Sequence, residues 1–482
     1  MSILQGLAPE GVWHYFEELC GIPHGSHNEK AVSDYCVRFA KERGLTVYQD
    51  EAWNVVIIKE ASAGYEDAEP LIIQGHLDMV CVKKEECPID FENDGLDLRV
   101  SGDWVYAEGT TLGGDDGIAV AYALALLDDN CIPHPRLEAV FTTCEEVGME
   151  GASALDVSML KGHRVLNLDS EEEGILLAGC AGGSRMEIRL PVKRQYTEGK
   201  RAVLTLTGLQ GGHSGTEIDK GRGNANILLA RVLSALQGEV NYRIVSLEGG
   251  EKDNAIPTWS RAELLVPFEK TYKLEEICAL CGEELKKEYA LTDPELQVQF
   301  QYGNETGGES FDEKSTETSL ALLLALPNGV QAMSKDIPGL VETSLNLGIM
   351  RTDEKGLALS YALRSSVEAE KKHLTGKIKI LTEYMGGIAE TGGIYPAWEY
   401  RRDSGLREDM VRIYEKMFGK KPEIQVIHAG LECGILAAKI PNLDCVSMGP
   451  EIRDIHTAEE RMSISSVRRM WEYILEIVKT KR

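Results

Sequence analysis

The chain has 482 residues, 43% hydrophobic and 27% charged, which is ordinary globular usage and excludes disordered and fibrous classes. Its 51 Lys and Arg against 78 Asp and Glu leave a net charge of −27, which repels phosphate backbones and anionic bilayers, so no nucleic-acid or membrane partner is expected. The longest apolar run, 118–127, is half the ~20 residues of a membrane span, and no basic-then-apolar leader opens the chain, so a soluble cytoplasmic protein is predicted.

The length predicts two to four domains. Ser26-His-Asn-Glu29 has the spacing of a capping box, and Val32, Tyr35, Cys36, Phe39 and Ala40 follow at helical spacing with Gly44 as the stop. Short apolar runs at 54–59, 71–74, 138–143 and 164–168 read as strands. The small-residue run 118–127, apolar nearly all round, reads as a buried helix. Strands separated by helices predict an α/β sheet covered on both faces. From about 184 the pattern changes. Strands at 202–207, 261–266, 296–302, 344–350 and 357–364 interleave with helices at 224–236, 274–287 and 369–384, which predicts an α+β domain with a one-sided sheet. Within it, Cys278-Ala-Leu-Cys281 reads as two small apolar residues on one helix face, and the eleven scattered cysteines as reduced thiols. A strand at 444–448 and a helix through Val467, Met470, Trp471, Ile474 and Val478 return to the first pattern. The expected architecture is therefore a body of 1–183 and 398–482, a mixed sheet covered by helices, with an inserted α+β lid over 184–397 and a cleft between them.

Five stretches each place a metal-ligating side chain just past an apolar run, where ligands collect in open α/β sheets. In Gln74-Gly-His76-Leu-Asp78, His76 offers a ring nitrogen and Asp78 is spaced to orient the ring. Leu112-Gly-Gly-Asp115-Asp116-Gly117 brings two carboxylates to the entry of the buried helix, as a cap or as ion ligands. In Thr142-Thr-Cys-Glu145-Glu146, one glutamate can bind metal while its neighbour serves as general base. Leu166-Asn-Leu-Asp169 ends a strand in an acid, and the three glutamates after it read as solvated charge. Asp454-Ile-His456 supplies a second histidine. Together these are the inventory of a pair of zinc ions sharing one carboxylate.

The order of these motifs, with Gly211-Gly-His-Ser-Gly215 and the late histidine, resembles the co-catalytic zinc peptidases that include carnosinases and bacterial carboxypeptidase G. Gly179-Cys-Ala-Gly-Gly183, Gly223-Asn-Ala-Asn226, Asn254-Ala-Ile-Pro257 and Ile427-His-Ala-Gly-Leu-Glu-Cys-Gly434 are similar to the branch of that family that cleaves Xaa-His and β-alanyl dipeptides. The resemblance implies that His76, Asp115 and Asp169 hold one zinc and that Asp115, Glu146 and His456 hold the other, with cobalt or manganese as alternatives. It implies Glu145 as general base, Asp78 as the residue orienting His76, and a cis peptide bond between Asp115 and Asp116, where relatives often have Asn in place of Asp116. In the lid, His213 would donate to the oxyanion, and Asn254 and Arg364 would bind the substrate carboxylate. Glu432, in the returning body segment with His428, would pair with a free substrate amine or be a buried structural acid. The lid would also carry a homodimer contact, across which His213 reaches in dimeric relatives. The expected activity is dipeptide hydrolysis. A deacylase or carboxypeptidase on the same metals, or a binding protein on an inactive scaffold, are the alternatives.

Overall fold

The computed structural model describes residues 3–481. The chain divides into two compact units: one runs up to Cys180 and takes up Tyr400–Val426 and Leu431 onward, and the other comprises Ala181–Glu399 with Ile427–Gly430.

The first unit is built on an eight-stranded sheet in the order Thr46–Gln49, Val55–Lys59, Leu137–Thr142, Leu71–His76, Arg164–Asn167, Asp444–Ser447, Ile175–Cys180, Glu423–Ile427. Leu71–His76 lies parallel to both of its neighbours, pairing His76 with Thr142 and Gln74 with Asn167. Every residue of Leu71–His76, Leu137–Thr142, Arg164–Asn167 and Asp444–Ser447 is buried, as in a sheet covered on both faces. Because the first three of these strands run the same way, their carboxyl ends share one edge. The segments carrying His76, Glu145 and Asp169 leave the sheet there.

The helix Gly114–Asp128 packs on this sheet, and its residues 118–127 are at most 7% exposed. Its close approach depends on Gly75, where a Cβ would come within 2.5 Å of the Ala119 Cβ and 2.6 Å of Asp116 Oδ2. A small four-stranded sheet joins Leu98–Ser101 and Trp104–Ala107 to a hairpin of Ile452–Arg453 and Arg461–Ser463. His456 sits in the loop of that hairpin, with a left-handed φ of 60°. The capping box does not form: the helix Lys30–Glu42 has Glu29 at its N-cap with no side-chain cap. Ser26 instead donates to Asp78 Oδ2 at 2.8 Å, and Glu29 Oε1 accepts from the His27 and Cys144 main chains at 3.0 and 3.1 Å. Tertiary partners outcompete the local cap.

The second unit has a nine-stranded, antiparallel sheet and its own apolar core, to which the helices Ala225–Val240, Thr271–Glu288 and Glu368–Tyr384 contribute. Burial alternates along Lys200–Thr207 and Gln297–Tyr302, as the sequence pattern requires of a one-sided sheet. Cys278 is buried in its helix and is unpaired, like Cys281. His428 belongs to this unit and not to the returning body segment. Ala181 N–H donates to Ile427 O at 3.1 Å, and the His428 Nε2 lies 2.7 Å from Ser344 Oγ, which draws 427–430 away from their sequence neighbours.

Candidate metal centre

The strand Leu71–His76 delivers His76 with its ring 1% exposed. Its Nδ1 lies 2.9 Å from the main-chain oxygen of Asp78, which can only accept, so Nδ1 carries a proton and Nε2 is the nitrogen turned toward the acids. That Nε2 faces two further acceptors, Asp115 Oδ1 at 3.1 Å and Asp169 Oδ1 at 3.7 Å. The other oxygen of Asp115, Oδ2, is 3.0 Å from His456 Nε2, which is 2.8 Å from Glu146 Oε1. Asp115 therefore spans two clusters, each of one ring nitrogen with carboxylate oxygens, and places one of its own oxygens in each. Donor atoms sharing one tetrahedral zinc lie about 3.3 Å apart, so these separations fit the cation pair that the donor types favour.

The electrostatics agree. Burial pushes Glu145 well above the ordinary carboxylate range despite His76, with Asp169, Glu432 and Glu146 adding to the rise. Burial also raises Asp169 to about 6, and Asp116 well above its usual value. Asp115 is held low, against burial, by hydrogen bonds to His456 and His76. Acids crowded out of water with two imidazoles as counter-charge are a site short of positive charge.

Several expectations need correction. Asp78 orients His76 chiefly through its main-chain oxygen, the carboxylate Oδ1 being 3.5 Å from Nδ1. The carboxylate instead accepts from the main-chain N–H groups of Glu145 and Glu146 at 3.0 and 3.3 Å and so fixes the turn bearing both glutamates. Asp116 also belongs to the centre, since its carboxylate groups with His76 and Asp169 and accepts from the His76 main-chain N–H at 3.2 Å. The peptide bond between Asp115 and Asp116 is cis. The glutamates after Asp169 are not all solvated charge. Glu171 is pushed up to about 8 by burial and by Asp115 and Asp169, and Glu173 forms a two-pronged ion pair with Arg469 at 2.6 Å.

Glu432 is fully buried. Its Oε2 accepts from Gln74 Nε2 at 2.6 Å and Thr142 Oγ1 at 2.5 Å, while Oε1 is buried without a partner. Burial raises it to about 7.

Sequence reasoning missed Glu460. It is 3% exposed, and its carboxylate accepts from the main-chain N–H groups of Leu112, Gly113 and Gly114 at 2.8, 3.2 and 2.8 Å. It thereby ties the loop carrying His456 to the loop carrying Asp115. Its place in the sequence, four residues after His456 and next to Glu459, carries no signal that sets it apart from a solvated surface acid.

In the second unit His213 follows the strand Lys200–Thr207 on a glycine-rich turn. Its Nε2 lies 3.4 Å from Arg364 Nη2, and Arg364 Nη1 donates to Tyr395 Oη at 2.9 Å. His213 and Asn254 line one cavity of about 350 Å³. Burial and the Arg364 charge lower His213, leaving it neutral at pH 7. The residues expected to bind a carboxylate are thus neighbours within this unit.

Residues 72–480 match peptidase family M20/M25/M40, and the chain belongs to that family. It is a metallopeptidase by this membership. Over 482 residues, 99% of each chain, it is 38% identical to the cytosol non-specific dipeptidase of Escherichia coli. The aminoacylhistidine dipeptidase of Vibrio alginolyticus superposes with a TM-score of 0.95 at 37% identity, covering 99% of this chain and 98% of that one. The aminopeptidase PepT of Bacillus cereus shares the fold, with a TM-score of 0.56 at 15% identity over 98% of both chains.

Proposed function

We propose that this chain is a cytoplasmic dipeptidase that hydrolyses Xaa-His and β-alanyl dipeptides at a two-cation centre. The observation that carries the reading is Asp115, whose two oxygens lie 3.1 Å and 3.0 Å from the Nε2 atoms of His76 and His456. His76, Asp115 and Asp169 would hold one divalent cation, and Asp115, Glu146 and His456 the other. Zinc suits the imidazole and carboxylate donors, and cobalt or manganese are the alternatives. Once bound, the cations supply acidity to a water and polarise the scissile carbonyl.

The remaining work falls to side chains of this chain. Glu145, held by the Asp78 carboxylate, takes the proton from the attacking water and returns it to the leaving amine. His213, from its own chain or a partner copy, donates to the oxyanion, and Arg364 with Asn254 receives the substrate carboxylate. Glu432 Oε1, buried and without a partner, offers a counter-charge to the free amine of a dipeptide. Residues 184–397 carry the homodimer contact in this reading.

The test is hydrolysis of a dipeptide panel with N-acetylated controls, with and without chelator. Free dipeptides alone should be cut, and only by metal-loaded enzyme, while the chelated protein keeps its circular dichroism. Cleavage of the acetylated controls would move the assignment to a deacylase. Hydrolysis that survives verified metal removal would end the metallopeptidase reading.

A further inference from the structure

The turn that carries Glu145 and Glu146 begins with Cys144, which the mechanism does not use. Its Sγ lies 3.4 Å from His27 Nδ1 and 3.1 Å from Glu29 Oε1, and a carboxylate oxygen of Glu150 lies within 4.8 Å of both the sulfur and the imidazole. Glu29 is fully buried, and its second oxygen, Oε2, has no hydrogen-bond partner. His27 and Cys144 both hold left-handed backbone, with φ of 70° and 51°, a conformation rare for residues other than glycine. Bond lengths of about 2.0 Å to nitrogen and 2.3 Å to sulfur put these ligand atoms about 3.5 Å apart around a tetrahedral zinc, close to the observed His27 to Cys144 spacing.

We propose that His27, Cys144, Glu150 and Glu29 form a third cation site, for one soft divalent ion such as zinc or cadmium, whose occupation slows hydrolysis by drawing the turn that bears Glu145 away from the position in which the Asp78 carboxylate holds it. A thiol among the donors selects soft ions over magnesium or calcium. Metal binding needs the thiolate, so an entering cation displaces the thiol proton, which leaves to solvent. His27 and Glu150 are exposed, which gives an ion a path from solvent that does not pass the two-cation centre. The inhibitory part rests on the reading of Glu145 as general base; the binding part does not.

The experiment titrates metal-loaded enzyme with cadmium while elemental analysis follows the resident metals. A thiolate-to-cadmium ultraviolet band should saturate at one added equivalent, and dipeptide hydrolysis should fall with the same midpoint. Cys144→Ser should abolish the band. His27→Ala, an exposed substitution outside the catalytic residues, should keep the basal rate and raise the midpoint roughly tenfold or more. A band that persists in Cys144→Ser, or full occupation with undiminished hydrolysis, would overturn the proposal. Glu145→Gln separates the two readings: it should bind cadmium unchanged, and turnover retained in that variant would count against the base assignment alone.

Discussion

The two halves of the candidate metal centre are built differently. His76 ends a fully buried parallel strand and its side chain is 1% exposed; His456 rides the loop of a two-residue-wide hairpin and its side chain is 45% exposed. Burial fixes the His76 ring through Asp78 and surrounds it with Asp115, Asp116 and Asp169, whereas His456 meets Asp115 and Glu146 at the rim. The difference teaches that the inner position is part of the fold, and that the outer one is an attachment held in register by Glu460.

Substitution of each histidine separates the halves most strongly. His76→Ala removes the imidazole from a buried cluster of acids and should lower stability by about 3–5 kcal/mol, the usual consequence of leaving buried charge uncompensated. His456→Ala should release one metal equivalent while changing stability by about 1 kcal/mol or less, because that side chain is solvated. Denaturant titration of the metal-free proteins, with metal analysis of the loaded ones, checks both. Equal destabilisation by the two variants would erase the distinction.

Glu460→Gln sharpens it further. The amide can present one oxygen to the Leu112–Gly114 main-chain donors but must turn an NH2 toward the rest, loosening the Asp115 loop relative to His456. Metal affinity at the outer position should fall roughly 10–100-fold, while the inner position changes less. Calorimetric metal titration resolves the two, and an equal loss at both would mean that Glu460 supports the fold only.

The smallest expected effect is on pH dependence. Burial holds Asp169, Glu171, Glu432 and Glu460 at about 6, 8, 7 and 7 in the fold, above the ordinary values of 3.8 for Asp and 4.5 for Glu. The folded metal-free chain therefore keeps protons that the unfolded chain has released. Its stability should fall as pH rises from about 5 to 8, by up to about 1.4 kcal/mol for each unit of each shift. Bound cations favour the ionised acids and should flatten that slope. Denaturation midpoints across this range, with and without metal, report it; a metal-free chain that gains stability toward pH 8 would refute the crowding of acids.

The sequence showed the inner half better than the outer. Apolar runs ending in His76 and Asp169 announce buried strands with ligands at their carboxyl ends, because the same burial that makes the strand fixes where it stops. The alternation along 296–302 likewise predicts the one-sided sheet of the second unit. What stayed hidden depends on contacts far apart in the chain. Glu460 meets Leu112–Gly114, Glu432 meets Gln74 and Thr142, and Ser26 leaves its expected helix cap for Asp78. An acid beside another acid reads as solvent-facing until the fold supplies its main-chain donors. Nothing local to His428 signals its hydrogen bond to Ser344, so its sequence alone groups it with the body residues that follow it.

Glu145→Gln tests the central claim most directly, since glutamine keeps the shape of the side chain and the Asp78 anchor but cannot accept the water proton. Metal content and dipeptide turnover should be measured on the same preparation. The account predicts two metal equivalents retained with turnover reduced by at least ~10²–10⁴-fold. Turnover near the unsubstituted rate, or loss of a metal with the base, would contradict it.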